Sequence, residues 1–318
     1  MLRVFKKIPA LCLGTALIVG MSSNVLAQEN LDQKPSQESI STIQKEFNLS
    51  KEEAVYYAEL DLKVKQLEAS GEKINLDDNS IAETSDEEIR RDPEKFKKDI
   101  LALDKSALKK SFKSLNYLFD SETQMNQLMQ ENPDGNTYEI KYPDGSIMSA
   151  NLEFLPRVDT NSDEVFQNSE PWTKSVNTGA YVVPEYNTIQ PMRYVWEFKS
   201  SISIAKVSTS ADGYVNTNKS NQKSKYSSSL ANATGGASYA GVVRVDNYNS
   251  VLDRNYAGPG STIPCQSWTQ ANMKVSGSFS ANYAGLGISV DAGGGWTQYA
   301  IIRLTSDGIG QTMAATLQ

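Results

Sequence analysis

Residues 275–292 read VSGSFSANYAGLGISVDA, and this stretch decides the class of fold. Up to Tyr283, apolar or glycine residues alternate with Ser or Asn, which is the period of a β-strand with one apolar face. After a short Ala-Gly step the alternation resumes at Leu286 and continues to the end of the stretch. The pattern therefore predicts a β-hairpin, with small polar side chains on its solvated face.

Two interpretations of this hairpin remain open. In the first, the hairpin belongs to an antiparallel sheet that buries its apolar face. In the second, it inserts into a membrane, where one face meets lipid and a Ser-rich face lines water. The composition resembles that of aerolysin-like toxins, which implies a membrane-inserting hairpin of this kind. Its apolar residues would be Phe279, Tyr283, Leu286, Ile288 and Val290.

The hairpin lies within a longer region, residues 138–318, that is rich in Ser, Thr, Gly, Asn, Tyr and Val. Apolar runs separated by turn residues predict several more strands, including continuous strands over 193–207 and 272–283. A polar Ser-, Asn- and Lys-containing stretch at 216–229 predicts an exposed loop or a hairpin tip. We therefore expect an antiparallel β-sandwich or an elongated β-sheet domain over residues 138–318.

Residues 37–137 have the opposite character, because they are rich in Glu, Lys, Leu and Gln and show helical spacing of apolar residues. Ser50 and Glu53 form a capping box, which predicts the N-terminus of a helix. Ser121 and Gln124 have the same spacing and predict another. The fold class is therefore α+β, with a helical N-terminal module followed by an antiparallel β domain.

The N-terminus predicts export from the cell. Residues 1–27 combine early basic residues, an apolar run over 8–20 and a small-x-small ending, which together are typical of a cleavable signal peptide. Residues 28–36 are polar and are predicted to be disordered. No later segment has the length and hydropathy of a transmembrane helix, so we expect a secreted, extracellular protein without a transmembrane segment in its mature chain.

The composition excludes several kinds of chemistry. The chain contains no histidine, so Ser-His and Cys-His catalytic pairs and His-ligated zinc are excluded. The formal net charge of −7 argues against nucleic acid as a partner. We find no convincing catalytic constellation, and the sequence favours a non-enzymatic protein while leaving the question of activity open.

Cysteine usage points to the kind of organism. Cys12 lies within the signal peptide, so Cys265 would be the one thiol of the exported chain. Export without an internal disulfide fits a Gram-positive bacterium. We expect Cys265 to be a small buried residue, and an intermolecular bridge or a nucleophile are the alternatives.

Two groups of residues are candidate binding sites. Four tryptophans in the β region could stack on the sugar rings of glycans or cell wall if their rings are exposed: Trp172, Trp196, Trp268 and Trp296. Four oxygen-bearing residues have the spacing of EF-hand ligand positions: Asp159, Asn161, Asp163 and Glu170. Glu164 stands where that loop needs glycine, so a solvated acidic linker is the alternative to calcium. We expect no cofactor, with calcium as the one candidate.

These observations favour a secreted bacterial protein whose β domain binds a cell-surface component, a cell-wall component or a protein. The alternative is a membrane-active β-pore-forming toxin with a helical pro-segment. A membrane is a partner only under this alternative, and nucleic acid is a partner under neither.

Overall fold

The computed structural model describes residues 34–76, 86–112, 114–131, 137–155, 189–218, 225–258, 261–283, 288–290, 295–304 and 309–317. Residues Asp32–Gln318 form one compact unit. Its helices are α1 (Gln37–Phe47), α2 (Lys51–Ser70), α3 (Asp86–Arg91), α4 (Pro93–Leu101), α5 (Lys105–Phe112) and α6 (Ser114–Glu131). The predicted signal peptide lies outside the described residues, as do residues 28–33 of the predicted disordered segment.

Local capping explains where the first helices begin and end. Ser36 caps α1, and Ser50 with Glu53 makes the predicted capping box of α2, in which each side chain accepts the backbone N–H of the other residue. Gly71 ends α2 with a φ of 72°, a left-handed conformation that favours glycine. The second predicted N-terminus, at Ser121, is wrong, because α6 runs without interruption from Ser114 to Glu131.

The strands follow the helices, apart from one short strand that lies among them. They are β1 (Ile74–Asn75), β2 (Thr137–Lys141), β3 (Ile147–Phe154), β4 (Ile189–Lys199), β5 (Ser203–Asn218), β6 (Lys225–Gly241), β7 (Val243–Arg254), β8 (Tyr256–Ala257), β9 (Cys265–Val275), β10 (Phe279–Tyr283), β11 (Ile288–Val290), β12 (Gly295–Leu304) and β13 (Ile309–Leu317). The predicted order, helices followed by antiparallel sheets, is confirmed.

The larger sheet has six strands in the order β2-β3-β4-β5-β6-β8, all paired antiparallel. The single strand predicted over 193–207 is wrong, because a tight turn separates β4 from β5. In this turn the Ser200 hydroxyl accepts the backbone N–H of Ser203 at 3.2 Å. The exposed loop or hairpin tip predicted over 216–229 is wrong in its extent, because residues 216–218 of β5 pair with residues 225–227 of β6 and Ser228 is buried.

The second sheet has four antiparallel strands in the order β13-β12-β9-β7. The single strand predicted over 272–283 is also wrong, because β9 ends at Val275 and residues 276–278 form a turn before β10. The Ser276 N–H donates to the Val242 carbonyl at 2.8 Å, and its hydroxyl donates to Glu68 Oε1 at 2.7 Å. The chain therefore bends at Ser276 to satisfy contacts that a continuous strand could not make.

The two larger sheets contact each other through small polar side chains. Thr209 of β5 lies 3.4 Å from Ser267 of β9, hydroxyl to hydroxyl. The Cys265 thiol donates to the Ser228 carbonyl at 3.1 Å. Cys265 is buried as a free thiol, and burial raises its pKa, which agrees with the expected small buried residue.

A buried ion pair fastens α2 to β7. Arg244 Nη1 donates to Asp61 Oδ1 at 2.7 Å, and its Nη2 donates to Glu68 Oε2 at 3.0 Å. Tyr57 adds a buried hydrogen bond to the Ser200 carbonyl at 2.7 Å. The helices are thereby held against the end of the sheets at which the 200–203 turn and the start of β7 lie. None of the helices in the described residues has the length and hydropathy needed to cross a membrane.

Candidate functional site

The four predicted tryptophans have different environments. Trp196 and Trp296 are buried, so their rings are unavailable to a glycan in this structure. Trp172 lies outside the described residues. Trp268, on β9, is partly exposed and is the one for which the predicted role in ligand binding fits its position.

The segment predicted as a membrane-inserting hairpin contains the antiparallel pair β10–β11, and Phe279 at the start of β10 is buried. The Phe279 ring packs on Phe112 of α5, with centroids 5.2 Å apart. The predicted solvated face is wrong at its beginning, because Ser276 and Ser278 are buried as well. The backbones of Tyr283, Ile288 and Val290 are described, whereas Leu286 lies outside the described residues.

The predicted calcium ligands Asp159, Asn161, Asp163 and Glu170 lie outside the described residues. Within the ranges that the structure describes, no group of three or more Cys, Asp or Glu side chains is arranged to hold a metal ion. Calcium therefore remains a prediction from the sequence.

A candidate binding surface comes from strict alternation along β9. Cys265, Ser267 and Thr269 are buried toward the six-stranded sheet, which leaves the intervening side chains on the opposite side. We call this opposite side of the four-stranded sheet the outer face. It is lined on β9 by Gln266, Trp268, Gln270 and Asn272, on β7 by Asn247, Asn249, Val251 and Arg254, and on β12 by Tyr299 and Arg303, while Thr297 and Ile301 lie on the same side of β12 but are buried.

An aromatic pair lies in the middle of the outer face. Trp268 and Tyr299 are on neighbouring strands, with ring centroids 6.0 Å apart and planes inclined at 70°. This edge-to-face geometry is favourable for aromatic rings and fixes their orientation. Both residues are partly exposed, so the pair presents an ordered apolar surface to solvent.

Amide side chains lie next to this pair on one side. Gln270 pairs across the sheet with Tyr299 and Asn249, and Asn272 pairs with Asn247. The Asn272 amide donates to Asn247 Oδ1 at 2.7 Å, and both Asn247 and Asn249 are exposed. Each amide offers two donors and one acceptor, so this arrangement can hydrogen-bond to the hydroxyl groups of a ligand.

Two arginines lie at the other end of the outer face. Arg254 Nη2 and Arg303 Nε both donate to Gln266 Oε1, at 3.2 and 2.8 Å. Burial, and then the positive charge of Arg254, lowers the pKa of Arg303. Asp253 accepts from Gln266 at 3.0 Å and lies 3.4 Å from Arg254. Two cations therefore converge on one side-chain carbonyl.

Trp268 was predicted from the sequence as a binding residue, whereas the residues around it were not. The signal was present in residues 266–272, which read QSWTQAN and alternate amide or aromatic side chains with small ones. Tyr299, Arg254 and Arg303 had no such signal, because only the pairing of β7, β9 and β12 brings them to the same face.

None of the protein-family models, curated proteins or solved structures compared with this chain matches it.

Proposed function

We propose that this chain is a secreted, non-enzymatic bacterial protein that binds a cell-surface or cell-wall glycan through the outer face. The observation that carries the proposal is the ordered, partly exposed pair of Trp268 and Tyr299 beside a row of amides. An aromatic ring stacks on the apolar face of a sugar, and amides hydrogen-bond to its hydroxyls. The predicted signal peptide supports export, and the single cysteine that would remain after its cleavage fits a Gram-positive source.

The architecture offers a rigid support for such a site. We propose that the four-stranded and six-stranded sheets pack as a β-sandwich, supported by the contacts of Thr209 with Ser267 and of Cys265 with Ser228. The binding residues then project from strands whose other side is anchored. A site on strands holds its side chains more precisely than a site on loops.

Binding to purified cell wall and to a glycan array tests the proposal, with Trp268→Ala as the variant. We expect the wild-type protein to be retained and the variant to bind at least about tenfold more weakly, as is typical of a central aromatic contact. Tyr248→Ala is the matched control, because Tyr248 is an exposed aromatic on β7 that pairs with Ala271 and so lies on the other side of the sheet. Failure of the folded wild-type protein to bind any wall or glycan would show that the proposal is wrong, as would equal losses in both variants.

Membrane activity is a second candidate, favoured by where the β10–β11 hairpin lies. The hairpin belongs to neither larger sheet, and its neighbour is β1 from the helical region, in a parallel pairing. The Ile74 N–H donates to the Ser278 carbonyl at 2.7 Å, and the Leu76 N–H to the Ser280 carbonyl at 2.9 Å. Strand β1, which follows α2, thus holds the β10–β11 hairpin in place, and this pairing would have to break before the hairpin could insert into a membrane.

Leakage of dye from liposomes tests this second function. Phe112→Ala removes the ring that packs on Phe279 and favours release of the hairpin. Phe198→Ala removes an equally buried phenylalanine from β4 and serves as the control. Leakage with Phe112→Ala alone supports the second function. If neither variant nor the wild-type protein causes leakage, membrane activity is contradicted.

A further inference from the structure

We propose that the Arg254–Gln266–Arg303 end of the outer face is a subsite for an anionic oxygen group on the bound sugar. This inference rests on the proposed function and names the class of glycan: one that carries a carboxylate or a phosphate. The two groups share the chemistry that a guanidinium recognises, namely negatively charged oxygens that accept paired N–H donors.

The sheet register places the three residues in one row. Arg254 pairs with Gln266 across β7 and β9, and Gln266 pairs with Arg303 across β9 and β12. Directly opposed residues on one face have Cβ atoms about 5 Å apart. The two guanidinium groups therefore lie on either side of Gln266, close enough to bind a single anionic group together.

The subsite is oriented before any ligand arrives. Arg254 Nε donates to the Pro264 carbonyl at 2.9 Å, and its Nη2 donates to Gln266 Oε1 at 3.2 Å. Gln266 is itself fixed, because its amide donates to Asp253 Oδ2 at 3.0 Å. Side chains that are ordered in the free protein lose less entropy on binding, which favours affinity.

The charges of the cluster favour an anion. Arg254 and Arg303 share Gln266 as a neutral acceptor, and Asp253 lies 3.4 Å from Arg254. Burial and the neighbouring cation destabilise the charged form of Arg303, as the direction of its pKa shift indicates. A bound anion would offset this repulsion. The chain as a whole carries −7, so the site would act through local geometry and not through general attraction of anions.

The distance between the Arg254–Gln266–Arg303 subsite and the aromatic pair matches the size of one sugar unit or of two adjacent units. Gln266 and Trp268 are two residues apart on the same face of β9, a spacing of about 7 Å. A ring stacked on Trp268 would therefore direct an acidic substituent, or that of the next unit, toward the arginines. Amides lie on the opposite side of the ring, at Gln270 and Asn249, where hydroxyl groups would meet them.

Calorimetric titration of the full mature chain with matched oligosaccharides tests the subsite. The probes are a hyaluronan tetrasaccharide, the same tetrasaccharide with its carboxylates reduced to alcohols, and a glycosylated glycerol-phosphate oligomer. The variants are Arg303→Gln and Arg254→Gln, and Arg193→Gln is the control because Arg193 pairs with Glu153 on the other large sheet. Thermal unfolding of each variant verifies that it is folded.

We expect the wild-type protein to bind at least one anionic probe about tenfold or more tightly than the neutral one, in line with a charge-assisted hydrogen bond. Both subsite variants should remove this preference for the anionic probe, whereas Arg193→Gln should retain it. The anionic probe that is preferred identifies carboxylate or phosphate as the source of the charge.

Three outcomes overturn the subsite, and the first two differ in what they say about the proposed function. If the neutral and anionic probes bind equally and Trp268→Ala weakens both, the glycan site stands and the subsite is wrong. If the folded wild-type protein binds none of the probes and no cell-wall preparation, both proposals are wrong. Retention of the anionic preference in a folded variant of either arginine also contradicts the subsite.

Discussion

The buried ion pair between Arg244 and Asp61 allows a quantitative prediction about Arg244→Leu. The two side chains are only 6% and 9% exposed, and the Nη1–Oδ1 distance is 2.7 Å. Replacing Arg244 leaves the Asp61 carboxylate buried with less compensation, and removal of one partner of a buried pair costs about 3–5 kcal/mol. Glu68, the second carboxylate on Arg244, is 34% exposed and can regain water, so it adds little.

A neighbouring lysine places the expected loss at the lower end of this range. Lys65 lies 2.7 Å from Asp61 Oδ2 and is 56% exposed, so it continues to offset part of the charge after the substitution. We therefore expect Arg244→Leu to lower the free energy of unfolding by about 3 kcal/mol. Urea denaturation followed by far-UV circular dichroism measures this change.

Two further variants distinguish a buried-charge effect from the loss of any salt bridge. Arg193→Gln breaks the partly exposed pair with Glu153 and should cost less than about 1 kcal/mol. The double variant Arg244→Leu/Asp61→Leu removes both charges and should recover much of the stability lost in the single variant. A loss below about 1 kcal/mol for Arg244→Leu, or a double variant no more stable than the single one, would refute this reasoning.

Three other substitutions have definite expected outcomes. Phe279→Ala should lower the free energy of unfolding by about 3–5 kcal/mol in urea, because the ring is buried against Phe112; a change below about 1 kcal/mol would place this ring outside the core. Burial raises the pKa of the Glu197 carboxyl, so the contribution of Glu197 to stability is present below its ordinary pKa and is lost as pH rises through the raised pKa. Glu197→Gln should therefore stabilise the protein at neutral pH and make its free energy of unfolding less dependent on pH. Denaturation at pH 4, 5, 6 and 7 tests the sign, and an unchanged slope would contradict it. Gly241→Ala should lower the free energy of unfolding by more than about 1 kcal/mol, because Gly241 has a φ of 94° and an added Cβ would clash with the Ile202 carbonyl. An unchanged melting temperature would argue against this strain.

The features predicted correctly from the sequence depend on neighbouring residues. The start of α2 follows from Ser50 and Glu53, three residues apart, and its end follows from Gly71. Signals of this kind lie within one turn of helix, so they do not depend on contacts with distant parts of the chain.

The features that were missed depend on residues far away along the chain. The strand predicted over 272–283 ends at Val275, and the hydroxyl of the next residue, Ser276, donates a hydrogen bond to Glu68, 208 residues away. Trp196 and Trp268 both occupy alternating strands, and periodicity alone does not tell which side of a strand will face another sheet. The burial of one and the partial exposure of the other follow from which faces of β4 and β9 are covered.

The Arg244–Asp61 ion pair and the outer face lie at opposite ends of β7, so effects of substitutions on stability and on glycan binding can be measured separately. Arg244 lies at the start of β7 and Arg254 at its end, and ten residues of strand span about 30 Å. Substitutions this far apart with no shared partner act additively. Arg244→Leu should therefore lower the free energy of unfolding without changing the affinity of the folded protein for a glycan, whereas Trp268→Ala should weaken glycan binding even under conditions where the variant is fully folded. If Arg244→Leu weakens binding under conditions where the variant is fully folded, the helices contribute to recognition and the outer face is not an independent site.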